Sequence, residues 1–264
     1  MINTVYVNAI NAAFASYLVS ALFHIMRLVL HKKSLGIIST AVLALGLLTH
    51  TIAIAVRWHM AAHPPLSSLY ESMILFAWLI VVVYSVAELL HHLSLMRPFV
   101  VLVALLVLIY SYRLNSSIRP LMPALQSDWL GIHVVTNLLG YSFFVVSFVF
   151  DIGYLVTRRR RLSGFSALVL KLDASSYRII SLGIFFLALG IITGSVWAEQ
   201  AWGSYWSWDP KETWALVTCL IYAIYLHLRL MPGWRGVRRA WLAVAGFLSV
   251  IFTYIGVSLL PGLH

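Results

Sequence analysis

Between Trp197 and Trp214 the chain reads Trp-Ala-Glu-Gln-Ala-Trp-Gly-Ser-Tyr-Trp-Ser-Trp-Asp-Pro-Lys-Glu-Thr-Trp, five tryptophans and a tyrosine in eighteen residues. Rings set this densely offer a stacking wall to a large planar ligand, with indole N–H groups and Lys211 able to meet carboxylates. An aromatic belt at a membrane surface together with a helix cap accounts for Asp209 and Glu212 but leaves three closely spaced tryptophans, Trp202, Trp206 and Trp208, unexplained. Ten histidines are the second source of chemistry, because a neutral imidazole is a metal ligand that an apolar medium tolerates. His133 and His264 fall near one surface, where two imidazoles can bind one metal from opposite sides. His227 lies 17 residues beyond Pro210, roughly 25 Å along a helix at about 1.5 Å per residue, too deep to share that metal. His24 lies at a similar depth and is the best internal candidate to pair with it, and His50 also falls within a span. His31, His59, His63, His91 and His92 read as interfacial or loop residues.

The elements that position these groups follow from composition. Of 264 residues 62% are hydrophobic and 10% charged, with a mean hydropathy of +0.93, which excludes a water-soluble domain. Apolar runs between charges and breakers predict eight helices near 5–30, 35–56, 69–90, 98–113, 133–156, 179–197, 212–230 and 240–260, forming a single all-α polytopic bundle over 1–264. The first run reads as a span rather than a cleavable signal peptide. Asp209-Pro210-Lys211-Glu212 reads as an N-cap, proline at the first position and an acidic third position, starting the seventh helix and Trp214 with it. Residues 197–214 are then an outer loop. Leu162–Leu172 reads as an amphipathic stretch along the inner interface.

The net charge of +10 reflects topology rather than nucleic-acid binding. Fourteen of the eighteen Lys and Arg residues fall on one side of these helices, leaving only Arg57, Arg113, Arg119 and Lys211 opposite. The fourteen mark the cytoplasmic or stromal side, so both termini and the tryptophan loop face outward. Glu71 opens the third helix at its outer end, where its charge complements the dipole or serves the nearby site, while Glu88 and Asp151 are expected to pair with inner-side basic residues. The single cysteine, Cys219, permits no internal disulfide, CxxC couple or thiolate cluster.

Trp202 to Trp214 resembles the WWD signature of membrane haem-handling proteins, in the spelling of the CcsA (ResC) family. Pro65-Leu-Ser-Ser-Leu-Tyr-Glu-Ser72, Gly131-Ile-His133 with Gly140-Tyr141, Tyr222-Ala-Ile-Tyr-Leu-His227-Leu-Arg229, and Gly256-Val257 with Gly262-Leu-His264 extend the likeness from about residue 64 onward. Ser258 departs from the asparagine that many members carry. The resemblance implies a part in a cytochrome c haem lyase (synthetase) complex of the system II route. In such a complex haem b, iron protoporphyrin IX, is carried across the membrane and attached to a Cys-X-X-Cys-His apocytochrome c. It implies that His133 and His264 are the external axial ligands serving the attachment chemistry, and that His227 ligates an inner haem whose opposite ligand comes from a CcsB (ResB) type subunit. Trp202, Trp206, Trp208, Asp209 and Trp214 would form the haem platform, and a thiol-reducing partner would act indirectly. The membrane would be the bacterial cytoplasmic membrane or a thylakoid, with the active side periplasmic or lumenal. The competing readings are a cytochrome b-like electron-transfer subunit, a haem exporter without ligase activity, and a purely structural assembly subunit.

Overall fold

In the computed structural model the described residues are 1–159, 166–234 and 236–257. Among them all regular structure is helical, in eight α-helices: α1 Ile2–Leu30, α2 Lys33–Ala61, α3 Leu69–His91, α4 Arg97–Ser111, α5 Asp128–Arg159, α6 Ser166–Trp202, α7 Pro210–Arg229 and α8 Val237–Ile251. Every predicted span corresponds to one of these. Seven helical segments are long and apolar enough to cross a membrane. The exception, α7, spans 20 residues, about 30 Å at 1.5 Å per residue, but carries Lys211, Glu212 and Arg229 at its ends.

Local chemistry sets the boundaries. Ser68 caps α3 by accepting the Glu71 N–H at 3.2 Å, while His31 and His92 end α1 and α3 in the left-handed conformation. These two histidines therefore serve as helix C-caps. Two expectations change. From Ser166 onward the stretch expected to lie along the inner interface is the first part of the 37-residue α6, since nothing between Ser166 and Leu172 breaks the helix. The predicted loop at 197–214 contracts to 203–209, because α6 continues to Trp202 and α7 starts at Pro210.

The chain forms two compact units, one from Met1 to Pro123 and one beginning at Ala124. In the first, α1 packs along α2, and α4 packs on α1 and α3. Buried polar groups tie these helices together. Tyr6 and Tyr70 share a 2.6 Å hydrogen bond. Arg57 donates to Glu71 at 3.0 Å and to the Ser116 carbonyl at 2.8 Å, and Arg97 forms a two-pronged pair with Glu88 while donating to Ser39 and Thr40. The expected pairing of Glu88 with a basic residue is thus present.

In the second unit α5 and α6 pack along most of their length, and α8 packs on α5 and α7. Glycines set the close approach. A Cβ on Gly140 would lie 3.0 Å from the Leu187 nitrogen and 3.1 Å from the Gly183 oxygen. Farther along α5, the Phe144 ring stacks on Tyr222 of α7 with centroids 3.7 Å apart. Asp151 departs from expectation: its carboxylate accepts from Ser176 at 2.8 Å and forms no ion pair among the described residues. The nearby arginines Arg229 and Arg239 are drawn instead to Asp173, at 3.0 and 3.2 Å.

Candidate functional site

His133 sits in the second turn of α5, facing α6. Its Nδ1 lies 2.8 Å from the Gly190 carbonyl oxygen. A carbonyl only accepts, so this contact places the ring proton on Nδ1 and leaves the Nε2 lone pair for a metal. The ring fits there because α6 lacks side chains at two positions. A Cβ on Gly194 would fall 2.3 Å from His133 Nδ1, and one on Gly190 would fall 2.6 Å from the Asn137 amide. Asn137, one turn after His133, donates to the His133 carbonyl at 2.9 Å. Sequence reasoning missed Gly190, Gly194 and Asn137. The signal was present as a Gly-x-x-x-Gly spacing within an apolar helix.

The aromatic lip continues from this imidazole. Trp197 stacks on His133 with centroids 6.1 Å apart and an interplanar angle of 21°, and its Nε1 is held by the Ala124 carbonyl at 2.9 Å. Trp202 meets Trp197 edge-on at 6.3 Å. After the positive-φ turn at Gly203, Trp206 and Trp208 also pack edge to face, at 5.7 Å. Trp202 and Trp208 remain about two-thirds exposed. The Trp206 indole nitrogen is buried with no hydrogen-bond partner among the described residues, an N–H ready for an acceptor. A Cβ on Gly203 would meet nothing within 4 Å, so there is open space beside the lip.

The loop is anchored from its C-terminal side. As the sequence predicts, Asp209 caps α7, accepting from the N–H groups of Lys211 at 2.6 Å and Glu212 at 3.0 Å, with Pro210 following. Glu212 reaches back to the Ser207 N–H at 2.7 Å, and Thr213 donates to the Trp208 carbonyl at 3.2 Å. These bonds hold Trp208 at a φ of +59°, a conformation costly for a bulky side chain. Trp214 lies against Phe252 at 4.4 Å, where α8 passes into the π-helical turn Phe252–Gly256.

His227 is exposed in the last turn of α7. The Phe144–Tyr222 stack sets the register of α5 against α7, placing His133 and His227 about 24 Å apart at 1.5 Å per residue. The two imidazoles thus occupy two depths of one unit. His264 lies outside the described residues. His24 and His50 are fully buried in the first unit, where the His24 Nδ1 faces Ser39 at 3.5 Å and the His50 Nδ1 pairs with Tyr17 at 3.1 Å.

The cytochrome c assembly protein family matches residues 66–264. The chain is 40% identical over 256 residues to the cytochrome c biogenesis protein CcsA of Chlamydomonas reinhardtii, covering 93% of this chain and 72% of that protein. It is 35% identical to the CcsA of Gloeobacter violaceus, covering 96% and 94%. Among solved structures, one described as the cytochrome c heme lyase CcmF superposes with a TM-score of 0.69 at 16% identity. That match covers 98% of this chain and 51% of the other, so the chain spans about half its length and the likeness speaks for the fold alone. Several apolar helices and these relatives make it a multi-pass integral membrane protein. Identity of this order over almost the whole chain places it in the CcsA family, whose members act in cytochrome c biogenesis.

Proposed function

We propose that the chain carries haem to the outer side of the membrane and presents it for attachment to apocytochrome c, working with a membrane subunit of the CcsB (ResB) type. The observation that carries this reading is the imidazole of His133, held at Nδ1 by the Gly190 carbonyl beside a tryptophan lip. Haem is the substrate, and iron protoporphyrin IX supplies the vinyl groups across which cysteine S–H bonds add to form thioethers. His133 and His264 hold the iron at the outer site. Trp202, Trp206 and Trp208 bound the porphyrin, and the orphaned Trp206 N–H and Lys211 meet its propionates. Asp209 orders the platform through the cap, and Trp214 fastens α7 to the end of α8. His227, exposed near the other end of α7, ligates haem at the inner site, with the opposite ligand supplied by the partner subunit.

These residues chiefly position. The rigid lip holds one edge of the porphyrin and leaves another open to a Cys-X-X-Cys-His peptide, whose own histidine replaces one axial ligand and starts release. The reductant comes from a partner. The test is haem content, by pyridine haemochrome, of the chain purified with its partner, together with maturation of a co-expressed cytochrome c. His133→Ala, His264→Ala and His227→Ala should each lower haem content and abolish maturation. Parental haem and maturation in all three would overturn the assignment.

A further inference from the structure

The bond to Gly190 does more than satisfy a buried polar group. An imidazole beside the aromatic lip can bind iron through Nε2 only if its proton stays on Nδ1 and its plane is fixed. Within α5 nothing sets either, since His133 and Asn137 lie on the same helix face and the Asn137 amide lies 3.1 Å from the same Nδ1. An amide N–H donated to Nδ1 would select the opposite tautomer, protonated on Nε2 and unable to ligate. The Gly190 carbonyl, at 2.8 Å, opposes that outcome, and the Asn137 N–H is drawn to the His133 carbonyl.

We propose that the Gly190–Gly194 notch of α6 is the positioning device of the His133 ligand: the Gly190 carbonyl accepts a hydrogen bond from Nδ1–H, and Gly194, having no side chain, lets the ring lie against α6 at 21° to the Trp197 ring. The inference rests on the reading of His133 as a haem ligand and adds to it two residues that act through the imidazole. The geometry is specific in its consequences. Alanine at 194 would put a methyl carbon 2.3 Å from Nδ1 and 2.5 Å from Cε1. Both atoms belong to a ring whose Nδ1 is bonded to Gly190 of the same helix, so the ring must swing away from α6 and that bond must break. Alanine at 190 collides instead with the Asn137 amide and reaches the imidazole only indirectly.

The test uses the full chain with its partner, loaded with haem, and reads the absorption spectrum of the outer site. Gly194→Ala should weaken outer-site haem retention by about tenfold or more, the scale on which outer-shell partners of metal ligands act. The remaining haem should shift from a six-coordinate low-spin to a five-coordinate high-spin spectrum, and added free imidazole should restore the low-spin form. Haem at the His227 site and protein yield serve as the folding controls. A second measurement avoids any new side chain on α6: a histidine analogue methylated on Nδ1 at position 133 keeps the Nε2 ligand but has no proton for Gly190, and should reproduce the spectral change. If His133→Ala loses the outer haem while Gly194→Ala and the methylated analogue both keep the parental spectrum, the notch is not the positioning device and the ligand assignment stands. If His133→Ala itself keeps the outer haem, the ligand assignment fails and the notch proposal fails with it.

Discussion

Trp208 bears a cost that folding alone does not require. A left-handed conformation in a residue of this size costs about 1–2 kcal/mol, and it persists because the Asp209 cap and the Thr213 hydrogen bond hold the backbone that follows and Glu212 holds the Ser207 N–H before it. Strain of this kind collects at functional sites. Trp208→Gly removes it along with the ring, so thermal unfolding in detergent should show stability unchanged to within about 1 kcal/mol, while haem retention falls. A general destabilisation would mean that the ring serves packing rather than a ligand. Asp209→Ala strips two N–H groups of their acceptor and should cost about 1 kcal/mol, with haem loss following from disorder of the lip. The cap was legible in the sequence because all its partners lie within five residues. The setting of His133 was not, because Gly190 and Gly194 come from a helix 57 and 61 residues away, and no local pattern states which imidazole a glycine notch will receive.

Packing between helices decides what the individual elements leave open. The number and order of the helices followed from hydropathy and the start of α7 from its cap, but the full extent of α6 and the α5–α6 seam emerge only in the fold. Gly140 meets backbone atoms of α6 rather than a movable side chain. Gly140→Leu should therefore separate the two helices and destabilise by more than the 1–3 kcal/mol of ordinary overpacking, seen as lost folded yield. Asp151 illustrates the opposite limit. Placing a carboxylate near the inner basic residues correctly located its neighbours, yet Asp173 on the adjacent helix receives both arginines and Asp151 takes the Ser176 hydroxyl. In the first unit, the Arg57–Glu71 pair joins α2 to the start of α3 with both side chains at most 6% exposed. Glu71→Ala leaves a buried guanidinium without its carboxylate and should cost about 3–5 kcal/mol in thermal unfolding, an effect that added salt does not mask.

At the scale of the whole molecule, the account rests on imidazoles at two depths of the second unit. His133 is braced by its own chain beside a lip of tryptophans, whereas His227 is exposed on α7, where the proposed partner subunit would complete the ligand set. That difference predicts different behaviour when the chain is purified without its partner. Outer-site haem bound through His133 should survive in part, and haem bound through His227 should be lost, which haem stoichiometry of the chain with and without the partner will show. The most direct measurement is pyridine haemochrome content of the purified complex carrying His133→Ala, read beside maturation of a co-expressed cytochrome c. The account predicts that outer-site haem disappears, haem at the His227 site remains, and no cytochrome c matures. A complex that keeps its full haem complement and still matures cytochrome c would contradict it.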